Sequence, residues 1–490
     1  MAILMQEEKS HGGASASLAR GDELTRPLST MDARDPTLIS GLDSGTYPHN
    51  GVNTKQEVED NIEDSQASKT VKESSQIACS NDNASDSQTG MQNDLIDYRH
   101  ALNEVALPLA YVDLTKLDAN IAALMLQAKD LPVRIASKSI RSVAMLRYLL
   151  AKSKKLQGVM CFHPQEAAFL AEQGLDDLLV AYPSMQKAAI SSLIPWLQKN
   201  RRIVLMVDAL EQVLLLDAIA QGSGVCFSVC MDIDVSLSIP GLHFGVHRSP
   251  INSVDKALSL YQHIKQKPGV NLVGVMGYEA QIAGLGDRVP RQYVKNLAIR
   301  GLKSVSIPRV AKRRQEVVAA LTQAGAQLAF VNGGGTGSLH STSQDHSVTE
   351  MTIGSGFFCP HLFDYYDHLS LAPAAGFALE VVRQPNGSRV TCAGGGYLAS
   401  GSADSFRAPI PHLPKGLSLD PNEGAGEVQT PLCLAPDLLK TQPLTVGDSV
   451  FFRHGKAGEL CERFTTLYGI RNGAIEQHFQ TYRGAGMCFL

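Results

Sequence analysis

No apolar run in this 490-residue chain reaches the length of a bilayer-spanning helix. There is no basic excess either. The formal net charge is −4, which argues against nucleic acid or an anionic membrane surface as a partner. No CxxC pair and no Cys/His cluster of structural-zinc spacing occurs, and the nine cysteines are scattered without pairing. Thiols used this way suit a reducing compartment, so a cytoplasmic protein is expected. The opening Met1–Lys9 has too short an apolar run and too acidic an edge for a secretory signal. Aromatic side chains are nearly missing from the first fifth, where Tyr47 is the only one before Tyr98.

Residues 1–98 are instead rich in Ser, Asn, Asp, Gln and Gly, as in Ser80-Asn81-Asp82-Asn83. Such a segment cannot bury enough apolar surface to offset the entropy of ordering, which predicts a disordered extension. Beyond it the chain is long enough for two domains and a large core. Leu109–Asp113 reads as a strand, with Thr115 and Asp118 placed for a capping box. Leu117, Ile121, Leu124 and Ala128 mark one face of the helix that follows.

From Val133 a rhythm appears. Apolar, β-branched runs start near residues 133, 157, 178, 202, 226, 272, 328 and 350, separated mostly by helical periodicity. Eight strands alternating with helices is the count of a (β/α)8 TIM-type barrel, an α/β fold. Runs such as Ile203-Val204-Leu205-Met206-Val207 suit a parallel sheet buried on both faces, although an open doubly wound sheet uses the same units. After about Leu371 the pattern turns to hairpins, at Pro385-Asn386-Gly387 and Asn472-Gly473. The expected division is an extension over 1–98, a barrel over 99–370 and an all-β domain over 371–490.

If the barrel is right, chemistry belongs at the carboxyl ends of its strands. Those ends hold Lys138, His163, Tyr182, Asp208, Asp234, Tyr278, the glycine-rich run Gly333–Ser338, and Gly354-Ser355-Gly356. Lys138, in Val133-Arg-Ile-Ala-Ser-Lys138, places one amine at a strand end, where it can form an imine with a carbonyl; a surface lysine opening a helix would look the same. The two glycine loops follow the seventh and eighth strands, where barrels commonly hold phosphate. Consecutive glycines let backbone amides approach an anion, and Thr336 and Ser338 add hydroxyls. Neither Walker nor GxGxxG spacing is present. A phosphate site and one strand-end lysine in the same mouth suggest pyridoxal 5'-phosphate. Asp232 and Asp234 alternate along a strand, so one is expected to face the mouth and the other the wall.

These stretches resemble the fold-type III pyridoxal-phosphate enzymes, the alanine-racemase-like barrels, and within them the D-serine dehydratase and D-threonine aldolase branch. The resemblance spans roughly residues 105–490. Arg134-x-x-x-Lys138 matches the family's Schiff-base stretch, and Gly277-Tyr278-Glu279-Ala280 resembles its Gly-Tyr-Glu-Gly-His. The loop 333–338 matches its phosphate cup, and Arg248 resembles the arginine directed at the cofactor. The resemblance implies catalytic Lys138, Tyr278 and His454, a small amino-acid substrate and a homodimer. It implies cofactor contacts from Lys138, Arg134, Arg248, Tyr278, Gly334, Gly335, Thr336, Gly337, Ser338, Gly354 and Ser355.

Two departures stand out. The branch binds a divalent metal through His-x-Cys or His-x-Asp in its β domain, but here His454-Gly-Lys456 puts a cation at the second position. Glu459 or Cys461 can complete a zinc or manganese site with His454 only if the loop folds back, so the metal-free reading, with His454 as acid or base, is preferred. The family's histidine just before the lysine is also missing, with Ala136 close by. The expected activity is a dehydratase or aldolase acting on a small β-hydroxy amino acid of the D series. A racemase, a non-catalytic cofactor-binding protein and a sugar-phosphate barrel are its rivals.

Overall fold

The computed structural model describes residues 82–401, 405–456 and 458–489. The larger part of the expected disordered extension lies outside them. Its last stretch does not behave as expected, because a first helix, α1, runs from Asp82 to Leu102. Its Leu95, Tyr98 and Leu102 are buried in one cluster with Leu109, Tyr111 and Phe451. Tyr98 also donates a 2.7 Å hydrogen bond to Asp113. Polar composition concealed a helix that buries Leu95, Tyr98 and Leu102 while leaving Ile96 exposed.

Strand β1 (Leu109–Asp113) leads into α2 (Leu114–Gln127). The helix is capped by Asp113, which accepts from the Lys116 amide at 2.9 Å, so the Thr115/Asp118 capping box is not formed. The barrel follows: β2 (Val133–Ala136), β3 (Leu156–Cys161), β4 (Leu178–Val180), β5 (Ile203–Val207), β6 (Phe227–Asp232), then a small hairpin β7 (Leu237–Ile239) and β8 (Leu242–Phe244), then β9 (Val270–Gly277), β10 (Phe330–Gly333) and β11 (Glu350–Ile353). Eight of these strands close as β10-β11-β2-β3-β4-β5-β6-β9. They are the eight runs read from the sequence.

Alternation along each strand sorts the side chains. Leu205 and Val207 of β5 join the large cluster under the helices, whereas Met206 packs inside the barrel with Leu179, Cys230 and Met276. Also in the barrel interior, β2 and β11 pair with Arg134 beside Thr352, and the Arg134 guanidinium bridges Glu350 at 3.0 Å and Asp177 at 3.1 Å. A buried charge is tolerated there because each edge of the guanidinium meets a carboxylate.

The second sheet has nine strands and includes β12 (Ala375–Asn386), β13 (Arg389–Ala393), β14 (Ile410–Leu413), β15 (Leu417–Leu419), β16 (Gln429–Leu434), β17 (Ser449–Arg453), β18 (Thr466–Arg471) and β19 (Ala474–Gln480). Both expected hairpins form, β12 with β13 and β18 with β19. The ninth member is β1, which lies between β12 and β18. The sheet is therefore completed by a strand from the segment assigned to the barrel on sequence. The carboxyl-terminal segment also ties back to the barrel. The Tyr482 amide donates to the Arg141 carbonyl at 2.7 Å, and its hydroxyl donates to Glu166 at 2.9 Å.

Candidate active site

Lys138 stands on a 3-10 turn, Ser137–Ser139, immediately after β2. Its ammonium donates a 2.9 Å hydrogen bond to the Tyr182 hydroxyl from the end of β4. Burial would raise the Tyr182 phenol, but the charges of Lys138, Arg248 and Lys456 outweigh it and hold the phenol below its ordinary range. Tyr278, at the end of β9, is pushed the other way, chiefly by burial. The Arg248 guanidinium lies 5.8 Å from the Tyr182 ring centre and 5.3 Å from that of Tyr278. These groups line a mouth cavity of about 290 Å³.

The opposite wall is made by the two glycine loops. Gly334, Gly335, Thr336, Gly354 and Ser355 all line the cavity. A side chain on Gly335 would press on the Tyr278 ring at 3.1 Å, and one on Gly354 would meet Ser139 Oγ at 2.6 Å. The backbone therefore comes close to neighbouring side chains at both points, as only glycine permits. Ser139 and Ser355 hydroxyls lie 3.2 Å apart, and Thr336 Oγ1 accepts from the Gly356 amide at 3.0 Å. The loop after β10 is held from behind by Glu279, buried at 1 % exposure, which accepts from the Gly334 amide at 3.2 Å and from the Thr342 hydroxyl. Arg314 neutralises this carboxylate at 3.0 Å.

Several residues expected at the site lie elsewhere. Arg134 is part of the ion-pair network in the barrel interior and does not line the mouth. Gly337 and Ser338 face the outer side of their loop, where they border a separate cavity, and Ser338 Oγ accepts from the Gly335 amide at 3.1 Å. Neither Asp232 nor Asp234 lines the mouth. Asp232 is buried, its carboxyl pushed up to about 7 by desolvation and by the charge of Asp208. Asp234 instead closes a turn by accepting from the Ser236 amide at 2.8 Å.

The largest correction concerns His454. It follows β17 and is 3 % exposed. It lines an adjoining cavity of about 380 Å³ with Phe377, Tyr397 and Leu460, and that cavity shares Ser400, Lys456 and Glu459 with the mouth. Neither ring nitrogen meets hydrogen-bond geometry with a protein group. Burial, reinforced by His361 and Arg453, pulls its pKa down to about 3. Cys461 is buried too, its thiol pushed up to about 12 by desolvation. Among the described residues no three His, Cys, Asp or Glu side chains gather to hold a metal ion. Of the two-residue set weighed on sequence, Glu459 lines the same adjoining cavity as His454, whereas Cys461 does not.

The β-domain loop instead presents Lys456 and Glu459 to the mouth, where both line the same cavity as Lys138. Lys456 Nζ donates to Ser400 Oγ at 3.1 Å, and Glu459 accepts from the Ser400 amide at 2.9 Å. Gly458, between them, has φ +91°, and a methyl group there would overlap the Lys138 carbonyl. On sequence Lys456 read only as an obstacle to a metal, and Tyr182 only as one strand end among eight. Their convergence on Lys138 depends on tertiary contacts between segments far apart in the chain.

The residues present fit a phosphorylated pyridine aldehyde. The Lys138 amine faces the cavity, two glycine loops with the hydroxyls of Thr336, Ser355 and neighbouring Ser139 form a cradle that side chains would fill, and an arginine lies against two tyrosines.

Residues 112–359 match the family model for the alanine racemase N-terminal domain. Among characterised proteins, a 3-hydroxy-D-aspartate aldolase of Paracoccus denitrificans (strain Pd 1222) is 24% identical over 258 residues, which cover 52% of this chain and 61% of that one. A D-threonine aldolase of an Arthrobacter species is 23% identical over 259 residues, covering 52% and 62%. The chain thus spans somewhat less than two thirds of the length of these relatives. Among solved structures, the D-threonine aldolase of Filomicrobium marinum superposes with a TM-score of 0.66 at 18% identity, covering 78% of this chain and 96% of that one. The D-threo-3-hydroxyaspartate dehydratase of Delftia sp. HT23 gives 0.64 at 18%, covering 78% and 98%. A closed eight-stranded barrel with a lysine at its mouth, together with the model match over that barrel, places the chain in the alanine racemase N-terminal domain family.

Proposed function

We propose that this protein is a pyridoxal-phosphate-dependent lyase acting on a small β-hydroxy amino acid, of the D series. The observation that carries the reading is the Lys138 amine facing, across one cavity, a cradle of glycines and hydroxyls. The activities named for the similar aldolases and dehydratase support the substrate class. When bound, the cofactor supplies an aldehyde that condenses with amines and a ring that draws electron density from Cα.

The rest belongs to this chain. Thr336, Ser139 and Ser355 would hold the phosphate, and Tyr278 with Arg248 would border the ring. The Lys138 amine would move the proton at Cα. Tyr182 shares that proton through its hydrogen bond to Lys138 Nζ. A D-configured β-hydroxy substrate then loses either water and ammonia or an aldehyde. The protein works in the cytoplasm, as a homodimer.

Lys138→Ala is expected to remove the imine absorbance of the purified protein and leave its thermal unfolding unchanged. Borohydride reduction of the wild type is expected to attach the cofactor to Lys138, read by peptide mass. Labelling of another lysine would refute the assignment. Exchange of the Cα hydrogen with solvent, without ammonia or aldehyde, would point to a racemase instead.

A further inference from the structure

Two amines share the mouth cavity, and only Lys138 has a role so far. Lys456 enters from the β domain. Its loop is fixed at Gly458, which packs on the Lys138 carbonyl, and at Gly455, where a side chain would meet the Arg407 carbonyl at 3.0 Å. Its ammonium is steadied by Ser400 Oγ at 3.1 Å, and Ser400 in turn binds Glu459. Arg141 locks the arrangement from below, donating to the Lys138 carbonyl at 3.0 Å and pairing with Glu462 of the same loop. The two lysines are thus presented to one substrate from opposite domains. His454, the acid or base expected from sequence, faces the adjoining cavity instead.

We infer that the Lys456 ammonium donates a proton to the substrate's β-oxygen, and that the enzyme is therefore a dehydratase rather than an aldolase. The inference rests on the lyase reading above and adds the group that acts at Cβ. A β-hydroxyl is a poor leaving group unless it is protonated as it departs, and an ammonium that lines the same mouth as Lys138 can supply that proton. Cleavage of the Cα–Cβ bond would need the opposite, a base to take the hydroxyl proton.

The step balances as follows. Lys138 takes the Cα proton, and the electron pair left at Cα forms the Cα–Cβ double bond. The Cβ–O bond breaks, its pair goes to oxygen, and oxygen takes the Lys456 proton and leaves as water. Lys456 is left as a neutral amine and is reprotonated from solvent. Hydrolysis of the resulting enamine by one water yields a 2-oxo acid and ammonia.

The test compares leaving groups in the holoenzyme. Chloride needs no proton to depart, so β-chloro-D-alanine bypasses a general acid, whereas D-serine and D-threonine do not. With wild-type protein and excess chelator, β-hydroxy substrates should yield ammonia and a 2-oxo acid. Lys456→Met should keep the imine absorbance and melting temperature. Its kcat on hydroxy substrates should fall about 10²- to 10⁴-fold, while kcat on β-chloro-D-alanine changes little. Equal losses on both substrates would mean a structural role, and no loss on either would mean no role; both overturn the inference, as would glycine and aldehyde as wild-type products. Absence of imine absorbance in the wild type would instead refute the lyase reading, and the inference with it.

Discussion

At the scale of single residues, the β domain holds His412 and His454 in an environment that resists charge. His454 and His412 both have pKa values pulled down from 6.5 to about 3, first by burial and then by neighbouring cations. In the unfolded chain they take up protons below about pH 6.5, so between pH 6.5 and 3 the unfolded state binds more protons than the fold. Their effect is therefore that stability drops on acidification through this window. Glu166 and Asp232, pushed up to about 7 mainly by burial, oppose it, since the fold keeps them protonated where the unfolded chain releases the proton. The His454 part can be isolated. His454→Phe, placed among Phe377 and Tyr397, should flatten the acid limb of the unfolding free energy against pH by about 1.4 kcal/mol per pH unit relative to wild type. An unchanged slope would show that the ring is charged in the fold.

At the scale of elements, two turns carry the site. The Lys138 turn is pressed between Gly354 on one side and Gly458 on the other. Gly458→Ala introduces both a Cβ against the Lys138 carbonyl and a positive φ that costs about 1–2 kcal/mol for a non-glycine residue. We expect a lower melting temperature and at least about a tenfold loss of turnover, since a 1 Å displacement of a catalytic group already weakens catalysis. The second turn is the glycine loop after β10, whose backbone is held by Glu279. Glu279→Gln removes one of the two buried carboxylates that pair with Arg314, leaving Asp345 as the other. It should weaken cofactor retention on dialysis, measured as absorbance lost, and lower stability by about 1–3 kcal/mol. The strands around these turns were legible because their apolar runs are continuous. The contacts between turns were not, because glycine spacing reports backbone freedom and not what approaches.

At the scale of the whole molecule, α1 and β1 stitch the second sheet together from the amino-terminal side. Removing residues 1–81, whose composition offers no core, should leave the melting temperature within a degree or two of wild type. Removing residues 1–102 takes away Leu95, Tyr98 and Leu102, each contributing about 1.5–3 kcal/mol by burial. That longer deletion should lower the melting temperature by well over ten degrees or leave the protein insoluble. Equal melting curves for the two truncations would show that α1 is not docked in solution.

From the order of residues alone came the eight barrel strands, the two hairpins, Lys138 at a strand end and the glycine loops beyond it. Each is local: a run of β-branched side chains, a turn dipeptide or a cluster of glycines acts through its own backbone, whatever surrounds it. The tertiary structure decided that β1 crosses into the second sheet and that Arg134 serves the barrel interior. It also buried His454 beside an adjoining cavity and brought Lys456 into the mouth. Those outcomes follow from packing between segments that lie hundreds of residues apart in the chain. A side chain's role there depends on which cavity its neighbours leave open, and no local pattern encodes that.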